Sequence, residues 1–392
     1  MIASLAVPAT HPEKLAAQKL GIPVLSYPEA VGLLTKTHRT ISVCGTHGKT
    51  TTTAMIAKTL TENNFDPTVL VGSDLHELGG TNFRIGKSKL LVLESCEYQK
   101  AFLNYAPSTI VLTTLDPDHL DYYKTFDAYL DAFKKFCSSL PHDGYLFANI
   151  DDENVHAVLK ECQENGFPPY NTFTYSLENG NADYYLKEEI VYHKGMSCGK
   201  LELAVPGIHN RSNALAAFSV CHMMGVPADN IGSSLGTYNG AARRFELIGT
   251  IKNAKHVTQV IDDYGHQPTE IKATLQAARE RFGAKAKICV VFQPHQYSRT
   301  RFFFNEFVES FSQANTVLIP NIYEARDSQE DKAAISAEKL VAALNKAGTK
   351  AVYTLDFEKT VEYIRKNARA FDVVITMGAG DVWKVARNII LI

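Results

Sequence analysis

The sequence holds no apolar run approaching the roughly 20 residues that cross a bilayer as a helix. It also lacks an excess of either charge: 40 Lys and Arg stand against 42 Asp and Glu, a formal net charge of −2. Nothing therefore points to bulk electrostatic attraction to nucleic acid or a membrane surface. Seven cysteines are scattered with no Cys-x-x-Cys pair, and the compartment rule reads them as reduced thiols of a cytoplasmic protein. Residues 1–10 have neither the basic start nor the long apolar stretch of a secretory signal. No repeat of about 20–50 residues and no low-complexity tract is present.

What is there is a chain of 392 residues, 45% hydrophobic and 21% charged. That is the balance of a globular protein too long for one ordinary core, so two or three domains are expected. Short β-branched runs recur at 40–44, 68–72, 90–94, 109–114, 287–292, 316–320 and 373–377, each followed by a helical stretch. This alternation reads as βαβ units around mostly parallel sheets, an α/β protein. One boundary is expected near 36–39 and another near 245–252, after Gly240-Ala241-Ala242-Arg243-Arg244-Phe245 and before a fresh α/β pattern opening at 257–261. Residues 1–35 contain one strand-like run, 22–25, and two helical stretches, too little for a core of their own. They read as the tail of a domain.

The sharpest motif is Gly45-Thr46-His47-Gly48-Lys49-Thr50-Thr51. It follows the strand-like Ile41-Ser42-Val43 and opens a helical stretch at 50–60. Gly45 and Gly48 allow a tight turn and a close approach to an anion. Free N–H groups and the dipole of the helix start then face phosphates. Lys49 can reach the β- and γ-phosphates, and the Thr50 hydroxyl can ligate Mg²⁺. The full-length spacing of a phosphate loop would put glycine at position 43, which is Val43, so this is a shortened form.

Acidic and histidine groups follow two later strands: Glu94 and Glu97 after one, Asp116, Asp118, His119 and Asp121 after the next. The C-terminal ends of neighbouring parallel strands are where α/β sheets bind ligands. Mg²⁺ prefers oxygen donors and few of them from protein. One carboxylate with Thr50 is a sensible set; His119 alone could equally hydrogen-bond a loop. Glu97, Asp118 and Asp121 read as supporting or surface carboxylates. Further on, His209-Asn210-Arg211-Ser212-Asn213 precedes an apolar run. Its asparagines could read a base edge or cap a helix. Arg243 or Arg244 could neutralise phosphate when domains close. Asp262-Asp263-Tyr264-Gly265-His266-Gln267-Pro268-Thr269 leads into a helix, with Pro268 suited to its first turn. In Phe292-Gln293-Pro294-His295-Gln296-Tyr297-Ser298-Arg299-Thr300, the guanidinium fork of Arg299 suits an α-carboxylate.

Taken with these segments, the short phosphate loop resembles that of the Mur ligases, and the resemblance runs over essentially the whole chain. It implies three domains: a remnant of an N-terminal Rossmann-like UDP-sugar domain at 1–38, a central P-loop ATPase-like domain at 39–245, and a C-terminal Rossmann-like amino-acid domain at 246–392. It implies an ATP- and Mg²⁺-dependent acid–amino-acid ligase of peptidoglycan synthesis, joining L-alanine to UDP-N-acetylmuramate through an acyl phosphate. Residue by residue, it implies ATP contacts from Gly45, Thr46, His47, Gly48, Lys49, Thr50, Thr51, Asn210, Asn213, Arg243, Asp263 and Tyr264. Metal ligands would be Thr50, Glu94 and His119; Lys49, His266 and Arg299 would be catalytic, with His266 the candidate base. Two departures, Gln267 for a second histidine and Gln296 for an arginine, leave L-alanine, glycine and L-serine open. No Gly-rich sugar-nucleotide loop precedes Lys36. The alternatives are a murein-tripeptide recycling ligase or a nucleotide-binding module without ligase activity. Against the former stands the segment 292–300. Oligomeric state is not readable.

Overall fold

The computed structural model describes residues 1–164, 171–253 and 256–390. They divide into two compact units, Met1–Ala204 with Asn210–Asn239, and Val205–His209 with Gly240–Ile392.

The first unit is built on a ten-stranded sheet. Its centre is parallel: strand Arg39–Cys44 lies between Leu90–Glu94 and Thr109–Leu112, and the sheet continues outward through Thr68–Leu75 on one side and Tyr145–Asn149 and Asn171–Ser176 on the other. Leu90–Glu94, Thr109–Leu112 and Tyr145–Asn149 are near-continuous buried runs, as strands covered on both faces are. In Leu90–Glu94 the first four residues are all buried. Antiparallel additions close the edges, Thr81–Arg84 against Thr68–Leu75 and the hairpins running through Ile190–His193 and Met196–Lys200. On one face, helix Phe126–Cys137 buries Tyr129, Phe133 and Phe136 against Phe102 and the strand residues Leu91, Leu93, Ile110 and Leu112. Each such side chain, fully removed from water, contributes about 1.5–3 kcal/mol before entropy is charged against it.

The segment before Lys36 packs onto this unit. Strands Ile2–Ala3 and Leu25–Ser26 pair in parallel. Helix Tyr27–Thr35 starts with a capping box between Ser26 and Glu29 and sends Val31 into the core beside Leu91 and Phe102. Gly32 meets the carbonyl of Asn104 so closely that an added Cβ would lie 2.4 Å from its oxygen.

The second unit carries a six-stranded sheet in the order Glu246–Asn253, His256–Asp263, Val373–Met377, Ile288–Phe292, Thr316–Pro320, Ala351–Leu355. All pairings are parallel except the first. Separate apolar clusters fill its two faces, one around Ile271, Leu275 and Phe307, the other around Ile364, Val385 and Ile389. Among the described residues, no helix is long and apolar enough to cross a membrane.

Candidate active site

The phosphate loop forms where the sequence places it, but it starts from an unpromising helix. After Lys49, helix Lys49–Glu62 opens with four threonines, which are poor helix formers, and is held by burial: Thr50 to Leu60 are all buried. Its N-cap is Gly48 at φ +80, and no side chain caps the first turn. That leaves first-turn N–H groups for an anion. Gly45, at φ +137, passes so close to the neighbouring strand end that a Cβ would lie 2.1 Å from Thr113 Oγ1. A Cβ on Gly48 would lie 2.3 Å from Asn213 Oδ1. Lys49 Nζ curls back over the loop, donating to the carbonyls of Gly45 and Thr46 (3.0 Å to the latter) and to Glu97 Oε1 at 3.1 Å. Burial pulls the lysine's pKa down; the Glu97 carboxylate outweighs it and holds the amine charged.

The expected metal set, Thr50, Glu94 and His119, divides into two groups. Thr50 Oγ1 donates to Glu94 Oε1 at 2.9 Å, and the other Glu94 oxygen accepts the N–H of Gly72 at 2.6 Å. His119 instead joins Glu97 and Asp118, whose potential ligand atoms all lie within 4.8 Å of one another. Its Nε2 is 3.6 Å from a carboxylate oxygen of each, too far for a hydrogen bond and spaced for a shared cation. Glu97 is 1% exposed and Asp118 7%, so the surface reading of these two carboxylates is corrected. Two buried carboxylates with one imidazole suit a hard divalent cation that keeps waters and phosphate oxygens as its remaining ligands. Asp121 is exposed.

Helix Ile208–Met223 starts before Asn210, so neither asparagine is its cap. Both lie in the opening turns and are 8% exposed. Asn213 Oδ1 accepts from Thr52 Oγ1 at 3.3 Å, behind Gly48, and so supports the loop.

The remaining candidates, Arg243, Asp263, Tyr264, His266 and Arg299, belong to the second unit. Arg243, in the left-handed region at φ +60, pairs through Nε with Asp262 Oδ2 at 2.9 Å and donates to the carbonyl of Gly378. Its guanidinium and that of Arg244 lie 4.9 and 5.0 Å from the Tyr264 ring centre. Burial pushes the Asp262 carboxyl up to about 6 against the pull of Arg243. Asp263 is engaged by the chain itself: Oδ2 accepts the N–H of Phe245 and Oδ1 that of Gly265, both at 2.8 Å. It shapes the turn rather than presenting a free carboxylate. His266 Nδ1 sits 3.2 Å from the Tyr264 carbonyl and 3.3 Å from Glu270 Oε2. Arg299 Nη1 approaches His295 Nδ1 at 3.2 Å. Burial, then the charge of Arg299, drives His295 down to about 3. Gln296 turns inward, 4% exposed, and donates to the carbonyl of Ala325 at 3.1 Å.

Two features escaped sequence reasoning. The first is the prominence of Glu97. The second is a set of bonds from residues 113–116 to the loop, including His47 Nε2 to Asp116 Oδ2 at 2.9 Å. The run Asp116-Pro117-Asp118-His119 showed the chemistry but not which groups would face inward.

A glycine turn that opens an uncapped helix beside a buried carboxylate–histidine cluster has the form of a nucleotide-using enzyme's site. Family models agree: residues 43–221 match the Mur ligase middle domain, and residues 243–380 the Mur ligase, glutamate ligase domain. The chain is 40% identical to the UDP-N-acetylmuramate–L-alanine ligase of Acetivibrio thermocellus, over 98% of this chain and 81% of that one. To the ligase of the same name from Caldicellulosiruptor saccharolyticus it is 39% identical, covering 98% of this chain and 83% of the other. The crystal structure of the UDP-N-acetylmuramate–alanine ligase of Thermotoga maritima superposes with a TM-score of 0.79 at 25% identity, covering 99% of this chain and 84% of that one. The chain belongs to the Mur ligase family.

Proposed function

We propose that the protein joins L-alanine to the carboxylate of UDP-N-acetylmuramate with ATP as the energy source, in the cytoplasm, as a step of peptidoglycan synthesis. The observation that carries the reading is the phosphate loop, with Lys49 paired to Glu97 in the same cluster as Asp118 and His119. The likeness to ligases of that name over nearly the whole chain supports the choice of substrates. Seven free thiols suit a reducing compartment.

ATP would lie against residues 45–51 and the uncapped first-turn N–H groups of the helix that follows, with Asn210 and Asn213 towards the base and Arg243 and Tyr264 as further contacts. Either Thr50 with Glu94 or Glu97 with Asp118 and His119 would hold Mg²⁺, which would supply positive charge to the phosphates there. Bound ATP supplies the phosphoryl group that turns the sugar carboxylate into an acyl phosphate, releasing ADP; the amine of L-alanine then attacks the acyl carbon, losing a proton and expelling phosphate. Lys49, kept charged by Glu97 and anchored to two loop carbonyls, neutralises phosphate by exchanging a partner for it. Arg299 is the clamp for the amino-acid carboxylate, oriented by His295, whose neutral Nδ1 accepts from it. His266, backed by Glu270, is the candidate proton acceptor. The domain-level assignment is sugar-nucleotide contacts from 1–38, ATP from 39–245 and the amino acid from 246–392.

Steady-state phosphate release with ATP, UDP-N-acetylmuramate and L-alanine tests the reading. Release should need both co-substrates, and titrating the sugar nucleotide should show saturation. ATP hydrolysis indifferent to either would leave a plain ATPase, and preference for a tripeptide over L-alanine would favour the recycling ligase. Glycine and L-serine in place of L-alanine measure the selectivity that Gln267 and Gln296 leave open.

A further inference from the structure

The phosphate loop is tied to the chain leading into the carboxylate–histidine cluster by backbone bonds and by one side-chain pair, His47 with Asp116. The backbone of His47 is held from both sides: its N–H donates to Thr114 Oγ1 at 3.0 Å, and its carbonyl accepts from Thr113 Oγ1 at 2.6 Å. Thr46 N–H donates to the Thr114 carbonyl at 2.7 Å. The Thr46 hydroxyl accepts the N–H of Asp116 at 2.9 Å and donates to its carbonyl at 3.0 Å, with Tyr129 OH completing its shell at 2.7 Å. The side chains then close a second span, His47 Nε2 to Asp116 Oδ2 at 2.9 Å.

Between Asp116 and Asp118 stands only Pro117, whose ring fixes φ. Asp118 Oδ1 accepts the N–H of His119 at 2.7 Å, and His119 sits in the left-handed region at φ +52. Few soft torsions therefore separate the His47 ring from the carboxylate and imidazole of the cation cluster. The pair is also partly exposed, 17% for His47 and 30% for Asp116. An ion pair or hydrogen bond in that setting contributes little to stability. Its geometric effect is larger: it sets the distance between the loop that would receive phosphate and the groups that would hold a divalent cation.

We propose that His47 and Asp116 are positioning residues that couple the phosphate loop to the metal cluster, so that their hydrogen bond governs how much a divalent cation strengthens nucleotide binding. This rests on the reading of the loop as an ATP site, and the experiment separates the two. Binding of a fluorescent ATP analogue is measured on the whole chain, with excess Mg²⁺ and with chelator, for the unaltered protein, H47A, D116A, the double variant and D116N. If the unaltered protein does not bind the nucleotide, the ATP reading fails by itself. If it does, D116A should cut the Mg²⁺-dependent gain in affinity about fivefold or more while leaving chelator affinity within about twofold, and H47A should cut that gain by as much. The double variant should lose no more than either single one, as coupled neighbours do. D116N keeps an acceptor for Nε2–H and should recover most of the gain. An unchanged Mg²⁺ gain in D116A overturns the proposal. Equal losses with Mg²⁺ and with chelator reduce the pair to loop packing and also overturn it. So do losses that multiply in the double variant.

Discussion

Lys49 Nζ lies 3.0 Å from Glu97 Oε2, and Glu97 is almost wholly buried. The cation proposed to meet phosphate and a carboxylate proposed to meet the metal are thus set against each other at one point. A metal–polyphosphate ligand carries the complementary pair of charges, so each group can exchange its partner without either charge being left alone in a dry site.

Removing the lysine should therefore do two things. K49A should abolish phosphate release, and it should cost about 3 kcal/mol of stability, because Glu97 is left charged and buried without its principal partner. K49A/E97Q should regain part of that stability and none of the activity. Urea denaturation beside the phosphate assay checks both. A K49A protein as stable as the parent would mean that the pair is not desolvated as described.

Gly48→Ala is expected to be more damaging than its one methyl group suggests. The position has φ +80, and the new Cβ would lie 2.3 Å from Asn213 Oδ1. Strain at such a residue costs on the order of 1–3 kcal/mol, and relief would have to come from moving Asn213 or the loop itself. Nucleotide affinity should fall more than tenfold. Asn213→Ala in the same background makes room for the methyl group, and should restore part of the stability lost by G48A. No restoration would show that the backbone angle alone sets the cost.

Much of the parallel framework was legible because period and punctuation agreed. The runs at 90–94, 316–320 and 373–377 became the strands Leu90–Glu94, Thr316–Pro320 and Val373–Met377. The antiparallel additions were not legible: Tyr184–Lys187, Ile190–His193 and Met196–Lys200 are short, polar and only half buried, so they leave no apolar run. The strand expected at 22–25 shrank to Leu25–Ser26, where two strands of two residues pair with each other. In the site, spacing located the loop and the acidic strand ends, since glycines and charges are visible one by one. Glu94 and Glu97 were chemically alike in the sequence. What separated them was that the strand stops at Glu94 and the chain then turns, carrying Glu97 beneath Lys49, and that is a tertiary fact.

His295 fixes the pH behaviour expected of the second unit. Its folded pKa of about 3 lies below the ordinary value near 6.5 because the ring is buried and faces Arg299. A histidine with a depressed folded pKa takes up its proton more readily when unfolded. The stability tied to its neutral form is thus fully present above about pH 6.5, and is lost as pH falls towards 3. His295→Gln should remove up to one proton from the pH dependence of unfolding between about pH 6 and 4, a slope of about 1.4 kcal/mol per pH unit. The imidazole resonances of His295 should show a neutral ring at pH 5. A charged ring at that pH would also break the Arg299 contact, because Nδ1 could no longer accept.

Arg299→Lys tests whether that contact serves the amino acid. The guanidinium offers parallel donors in a plane, so one edge can bond His295 while another faces a carboxylate in two-point fashion. An ammonium keeps the charge and loses the fork. KM for L-alanine is expected to rise about tenfold or more, with KM for ATP within about twofold. L-Alaninamide, which lacks the carboxylate, should discriminate poorly between the two proteins. Arg301 supplies the control: it is exposed and paired with Glu330 at 3.0 Å and Asp331 at 3.2 Å, so R301K should leave both constants unchanged. If R299K instead raised KM for ATP and spared that for L-alanine, Arg299 would belong to the nucleotide, and the amino-acid carboxylate would have to be held by another cation of the same unit.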